Sequence, residues 1–570
     1  MVLQDPHYPN LRILNLKAPP DWQRLRLLVL EHPRFGLHNL ADQPPLRLEL
    51  PYKLPHAHFL DLLCPDNPHG IGARWCVIEG DYVDRDSAII YAKLFSRAFR
   101  DHPRRTIRLH FFSDRIEELT YDSLLSQDSL QSAYLGFIVL GQEGTIGRTV
   151  LPPPKDSYYW YFIPAQSSHS VNLAGAELEA RGTPFIEQDG KVAACASAAI
   201  WMSSTVLRRQ FGHDMLGYSM AEITSLATEH STPSSGVAPP PSLKTGQILW
   251  ALHRMGYEPM LFWASDAQES LEAIYRSIES GIPPILIIYL PHAGTGGYHA
   301  VTAFGHAYDA GTNPKAAIAQ KSRRVSIWYP YFLVHDDQMG AYLKLTVTEP
   351  NPYSGECPGI SLDAEDSYIK PPKELLEEWY KDAYLYAVIT SLPPRHTLPP
   401  NEGFLKALHV LRTVYRELAS RYGERCHLPA PAIHRFYFIA SNKWKQAMLP
   451  FSAGGRPGLQ EELARYYRGH IFSKYIWVLE VCGIEHRFQK DPKDLRVIAD
   501  VILDPTSSAD TEDFISVHLP HLFVRMFPGD VSVSTAIDNA IVIPDDTPYQ
   551  PVIQFSLCQE PLYKTTASPP

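Results

Sequence analysis

The chain has 570 residues, which at about 150 residues per domain points to three or four structural units rather than one. Hydrophobic residues make up 45%, aromatic 11% and charged 20%, a composition that buries several cores and excludes a disordered, fibrous or membrane-embedded chain. Formal charge is 52 − 62 = −10 with the basic residues scattered, so no electrostatic footprint exists for a nucleic-acid backbone or an anionic membrane, and neither partner is expected.

The cysteines Cys64, Cys76, Cys195, Cys357, Cys426, Cys482 and Cys558 are odd in number, far apart and without a CxxC pair. That argues against a disulfide framework and a zinc knuckle. The opening MVLQDPHYPNLRILNLKAPPDW lacks the apolar stretch of a secretory signal, and the most apolar run, IPPILIIYL, is about half the length needed to span a bilayer. A reducing cytoplasmic location is the expectation.

Proline clusters mark the expected edges: Leu151-Pro152-Pro153-Pro154, then Pro371-Pro372, Pro393-Pro394 and Pro399-Pro400. They divide the chain into an N-terminal α/β accessory domain over 1–155, a central domain over 156–365 and a C-terminal α+β accessory domain over 366–570. In the first, WCVIEGDYVD reads as a strand and turn, SAIIYAKLFSRAFRDH as a helix and TIRLHFFS as a strand, in β-α-β order. Its acidic residues Glu79, Asp81, Asp84 and Asp86 are hard oxygen ligands of the kind magnesium or calcium takes. Their spacing lacks the glycine and distal glutamate of a calcium loop, so helix capping by Asp84 or Asp86 is the preferred reading.

In the central domain, Gln188-Asp189-Gly190-Lys191-Val192-Ala193-Ala194-Cys195 leads into ASAAIWMSSTVLRRQFG. The Asp-Gly pair signals a turn and the following run a helix, which puts Cys195 at a helix N-terminus. Unpaired N–H groups there favour thiolate, the nucleophilic form. Gln188 is placed to aim its amide at the same point and, with the Cys195 N–H, to form an oxyanion hole. The Ser/Pro-rich loop from His230 to Ser242 is a candidate lid or specificity element. After the helix ESLEAIYRSIESG and the buried strand IPPILIIYL comes a glycine-rich loop, Ala293 to Gly297, that opens into a strand with His299 at its mouth. A base held there is firm yet reachable. The strand WYPYFLVHDD ends in Asp336 and Asp337, either of which is able to accept a hydrogen bond from an imidazole and fix its tautomer. Asp336 is preferred because it follows directly on FLVH, with Asp337 capping the next turn. His292, His306 and His335 compete with His299, but His335 adjoins Asp336 and must face the other side of the strand. Zinc also takes these ligand types; catalysis is preferred because no second soft ligand lies nearby in sequence.

The C-terminal domain reads as helices at GFLKALHVLRTVYRELASRYG and GLQEELARYYRG, with strands at RFYFIAS, YIWVLEVCGIE and RVIADVILDP. No phosphate-cradling glycine loop or metal-ligand pair at helical spacing marks either flank.

The order Gln-x6-Cys at a helix start, SLKTGQILWALHRMG, ESGIPPILIIYL, YHAVTAFG and FLVHDD resembles the papain-like fold, specifically the bacterial C39-like cysteine peptidases. The resemblance is confined to the central domain. It implies Cys195 as nucleophile, His299 as general base and acid, Asp336 as orienter and Gln188 in the oxyanion hole. The expected fold class is therefore α+β, a papain-like cysteine peptidase core flanked by two α+β accessory domains. The expected activity is hydrolysis of peptide bonds in a protein or peptide substrate, without metal or organic cofactor, gated by a partner protein or by the flanking domains. Amide-directed acyl transfer, as in a deamidase or transglutaminase, shares the first half-reaction, and a catalytically inactive binding or scaffold module is the reading from another class.

Overall fold

The structure, a computed structural model, describes residues 10–31, 54–93, 95–97, 102–125, 127–141, 144–154, 160–188, 195–211, 217–230, 242–265, 267–292, 296–308, 331–362, 378–422, 432–448, 467–483, 496–519, 522–526, 533–538 and 541–542. The turn at Asp189-Gly190 with Ala193 and Ala194, loop residues 231–241, Ala293–Thr295, most of GLQEELARYYRG and the C-terminal tail lie outside them. Helices combine with three antiparallel sheets in an α+β fold.

The first sheet has the order Leu11–Asn15, Ala73–Tyr82, Thr106–Ser113, Tyr134–Leu140, Ile146–Leu151, Ala176–Phe185, Ser167–Leu173. The strands expected at WCVIEGDYVD and TIRLHFFS form with the helix Arg85–Lys93 between them, and they pair as antiparallel neighbours with Trp75 opposite Phe112. The sheet continues past the edge expected at 155/156, because Leu151 pairs with Thr183. The strand Ala176–Phe185 shows why. Its first half alternates buried and exposed, as a sheet with one wet face requires, and its second half, Gly182 to Phe185, is wholly buried. The second sheet covers that half: Tyr342 donates its hydroxyl to Leu151 O (2.7 Å) and accepts from Thr183 N (3.1 Å), and it does so from a left-handed backbone, φ 57°.

The acidic residues of this sheet find protein partners. Asp84 accepts from Ser87 N (3.0 Å), capping the helix, and pairs with Arg148 (2.8 Å). Glu79 holds Arg108 (2.7 Å) and His110 (3.2 Å). Asp86 is buried, and desolvation with Asp84 beside it pushes its carboxyl up to about 7.

In the second sheet, Ile285–Leu290, Gly297–Tyr308, Tyr331–Asp336, Gly340–Thr348, Gly359–Leu362 and Tyr384–Leu392 follow one another, and the last also pairs with the first, closing a ring. The run IPPILIIYL is continuously apolar because both its faces are buried. Leu286 and Ile288 join one core with Val301, Val334 and Leu385. Ile285 and Ile287 join another with Ala196, Ala198 and Ala199 of the helix Cys195–Phe211. Those alanines let the helix lie close on the strand Gly297–Tyr308, where Thr302 Oγ1 donates to Ala199 O (3.2 Å). The ring extends beyond the edge expected at 365, since Tyr384–Leu392 is one of its strands.

The third sheet, Ala432–Ala440, Tyr475–Gly483, Arg496–Leu503, Ser516–Leu519, Leu522–Arg525 and Ile541–Val542, packs under the helix Pro400–Tyr422. A fully buried charge network ties it to the second. Glu279 meets His306 and Arg435, each at 2.5 Å; Arg435 also reaches Glu480 (3.3 Å), whose other oxygen accepts from Tyr437 (2.7 Å). Among the described residues no helix is long and apolar enough to cross a membrane.

Removing one partner of a buried ion pair strands the other charge, at a cost of about 3–5 kcal/mol. Arg435→Met is therefore expected to lose that much stability in urea unfolding, and Arg435→Met/Glu279→Leu, which strands no charge at Glu279, to lose less than Arg435→Met alone.

Candidate functional site

His299 is the third residue of the strand Gly297–Tyr308, opposite Ile288. Gly296 turns the chain into this strand at φ 76°, where a Cβ would lie 3.1 Å from the Tyr289 hydroxyl, so both conformation and space call for glycine. Strand alternation then turns Tyr298 outward, 55% exposed, and His299 inward, 5% exposed.

The carboxylates come from the turn after the strand Tyr331–Asp336. Asp336 Oδ1 accepts from Gln338 N (2.8 Å) and Met339 N (3.2 Å), a side chain closing its own turn. Asp336 Oδ2 accepts from the Tyr380 hydroxyl (2.6 Å). Across the turn, Gly340 has φ 140°, and a Cβ there would meet the His58 ring at 2.5 Å; His58 Nε2 donates to Ala341 O (2.5 Å). A buried helix residue from the N-terminal region thus clamps the turn that carries the acids.

Asp336 Oδ1 lies 3.0 Å from His299 Nε2 and Asp337 Oδ1 3.8 Å. The nearer approach is off the N–H direction, so it is a close ion pair rather than an aligned hydrogen bond. The Cys195 thiol is close enough to act on the His299 imidazole electrostatically. With Nε2 on the carboxylate, Nδ1 is the nitrogen left for sulfur. Cys195, half-buried, is the first residue of the helix Cys195–Phe211.

Burial by itself would lower the proton affinity of His299. The Asp336 charge at close range and the contact with Cys195 outweigh it, and the imidazole is held well above its ordinary value. For Asp336, burial works upward, but the facing imidazole and the donors Tyr380 and Gln338 N bring it below the usual carboxylate range. Asp337 goes the other way: burial and the neighbouring Asp336 prevail over the attraction of His299, pushing it up to about 8. Both its oxygens are buried without a hydrogen-bond partner among the described residues.

The structure thus brings Cys195, His299 and Asp336 together, with Asp337 against the same imidazole. Gln188 is half-buried three residues beyond the strand Ala176–Phe185; among the described contacts none joins it to His299 or Cys195. The competing histidines are engaged elsewhere: His292 pairs with Asp382 (2.9 Å), His306 with Glu279, and His335 turns to the other face, against Thr183 Oγ1 (3.1 Å) and Pro184 O (3.3 Å). Two participants carry no sequence signal. Tyr380 lies beyond the expected domain edge, and Glu187, which raises Asp337 electrostatically, is held by Ile146 N (2.7 Å).

A carboxyl with an ordinary value of 3.8 that rises to about 8 on folding binds more protons folded than unfolded, so its contribution to stability is lost as pH rises between those values. Asp337→Asn is expected to raise the melting temperature, with an advantage over wild type that grows from pH 4 to pH 8 in calorimetry. No family model matches the chain, nor does any curated protein or solved structure.

Proposed function

We propose that the protein is a cysteine peptidase, with a papain-like core of the C39-like type acting on a protein or peptide substrate. The observation that carries this reading is the buried imidazole of His299, 3.0 Å from the Asp336 carboxylate and within electrostatic reach of the Cys195 thiol. Supporting it are the position of Cys195 as the first residue of its helix and the ring of strands that carries the other two groups.

In the reaction, His299 takes the proton of Cys195 and the thiolate attacks the carbonyl carbon of the scissile amide. The tetrahedral oxyanion is stabilised by the Cys195 N–H, with Gln188 as the expected second donor. Collapse expels the amine, which takes the proton from His299 and leaves a thioester. Water, giving its proton to His299, attacks the thioester; the acid departs and the proton returns to sulfur. Asp336 keeps the ring oriented and balances the imidazolium charge at each stage. Tyr380 in turn holds Asp336. The flanking sheets are the elements through which a partner protein would gate access.

With a limiting alkylating reagent near neutral pH, intact-mass and peptide mapping are expected to find Cys195 reacting ahead of the other cysteines, an advantage that falls at least about tenfold in His299→Ala. Reaction no faster than the others in the native protein overturns the proposal. On a peptide that the enzyme cleaves, His299→Ala is expected to lower kcat/KM by about 10²–10⁴. Tyr380→Phe, which removes one hydrogen bond to a buried charge worth about 1.5–3 kcal/mol, is expected to give a smaller loss, measured in the same assay.

A further inference from the structure

The peptidase reading leaves Asp337 without a task. Its carboxyl is completely buried, both oxygens lack a hydrogen-bond partner among the described residues, and one of them lies 3.8 Å from His299 Nε2. A buried polar group in this condition costs free energy unless something occupies the space it faces. Three buried groups converge there: ligand atoms of His299, Asp336 and Asp337 all lie within 4.8 Å of one another. Nε2 itself makes no aligned hydrogen bond among the described residues, although Asp336 lies 3.0 Å from it, as expected where groups aim at a common point rather than at each other.

We propose that His299, Asp336 and Asp337 form a reversible zinc site whose occupancy switches the Cys195–His299 pair off. Zinc binds imidazole and carboxylate at about 2.0–2.2 Å in a tetrahedron, which separates neighbouring ligand atoms by about 3.3–3.6 Å. The distances from Nε2 to the two carboxylates, 3.0 and 3.8 Å, bracket that spacing, so small side-chain adjustments suffice. Three protein ligands leave the fourth position to water. The outer contacts already exist: Tyr380 and the Gln338 and Met339 N–H groups fix Asp336, the kind of support that orients a ligating carboxylate. The dication also cancels the charge of two adjoining buried carboxylates.

The consequence for chemistry follows from the imidazole having two nitrogens. Zinc on Nε2 takes that lone pair, so the ring proton resides on Nδ1, and Nδ1 then has no lone pair with which to accept the thiol proton. Binding displaces to solvent the protons carried by His299 Nε2 and Asp337, and chelation restores them. This regulatory consequence rests on the peptidase reading; the binding itself does not.

Zinc chloride titrated into the full chain by calorimetry is expected to fill one site in wild type and in Cys195→Ser, and to bind at least about tenfold more weakly in Asp337→Asn, with no saturable binding of magnesium chloride. Cobalt loaded into wild type is expected to show d–d bands without a thiolate charge-transfer band, a readout independent of whether Asp337→Asn folds. Zinc should slow alkylation of Cys195 in wild type and spare it in Asp337→Asn. Equal zinc binding by wild type and Asp337→Asn, loss of binding in Cys195→Ser or a thiolate band overturns the site. If zinc binds as expected but Cys195 shows no His299-dependent reactivity in the metal-free protein, the peptidase reading falls with the switch while the zinc site stands. If Cys195 is reactive and zinc does not bind, the zinc site alone falls.

Discussion

An imidazole removed from water resists protonation, and His299 overcomes that resistance chiefly because Asp336 meets it at 3.0 Å. Much of the architecture serves that one contact. The strand carrying His299 must be placed beside the strand ending at Asp336, which the closed ring does. The turn at Asp336 must not yield, and three donors on its carboxylate see to that. The cysteine must arrive from a third element, the alanine-rich helix that lies close enough for its backbone to accept a bond from Thr302.

Elsewhere the molecule manages buried charge by a different rule. Glu279, Arg435 and Glu480 form a chain of alternating sign with Tyr437 and His306 at its ends. Such a chain contributes little net stability compared with an apolar substitute, but its geometry tolerates few alternatives. Asp337 stands apart from both patterns, since among the described residues it has no hydrogen-bond donor and its nearest cation, His299, is 3.8 Å away.

Local chemistry was readable from the sequence where one residue's neighbours decide its fate. The runs IPPILIIYL and TIRLHFFS become buried strands because no polar alternation interrupts them. Alternation also separates His335 from Asp336, and the directness with which Asp336 follows FLVH places it nearer the histidine than Asp337. Pairing between distant segments was not readable. Nothing near residue 183 signals that it will sit beside Leu151 and under Tyr342, and a tyrosine 44 positions past Asp336 looks like any other until the ring closes. Proline clusters report where the chain bends, not where hydrogen bonding between strands stops, so the sheets run through two of the edges they marked.

The clamp of His58 on Gly340, with the Tyr342 hydroxyl held by Leu151 and Thr183, bears on how such a chain could be engineered. A segment that reads as an appendage supplies one wall of the turn that holds the acids. Trimming the protein to a minimal fragment around Cys195 and His299 would leave the carboxylate hairpin without its backing. A side chain at Gly340 would collide with the His58 ring, so neither position can be enlarged without moving the other.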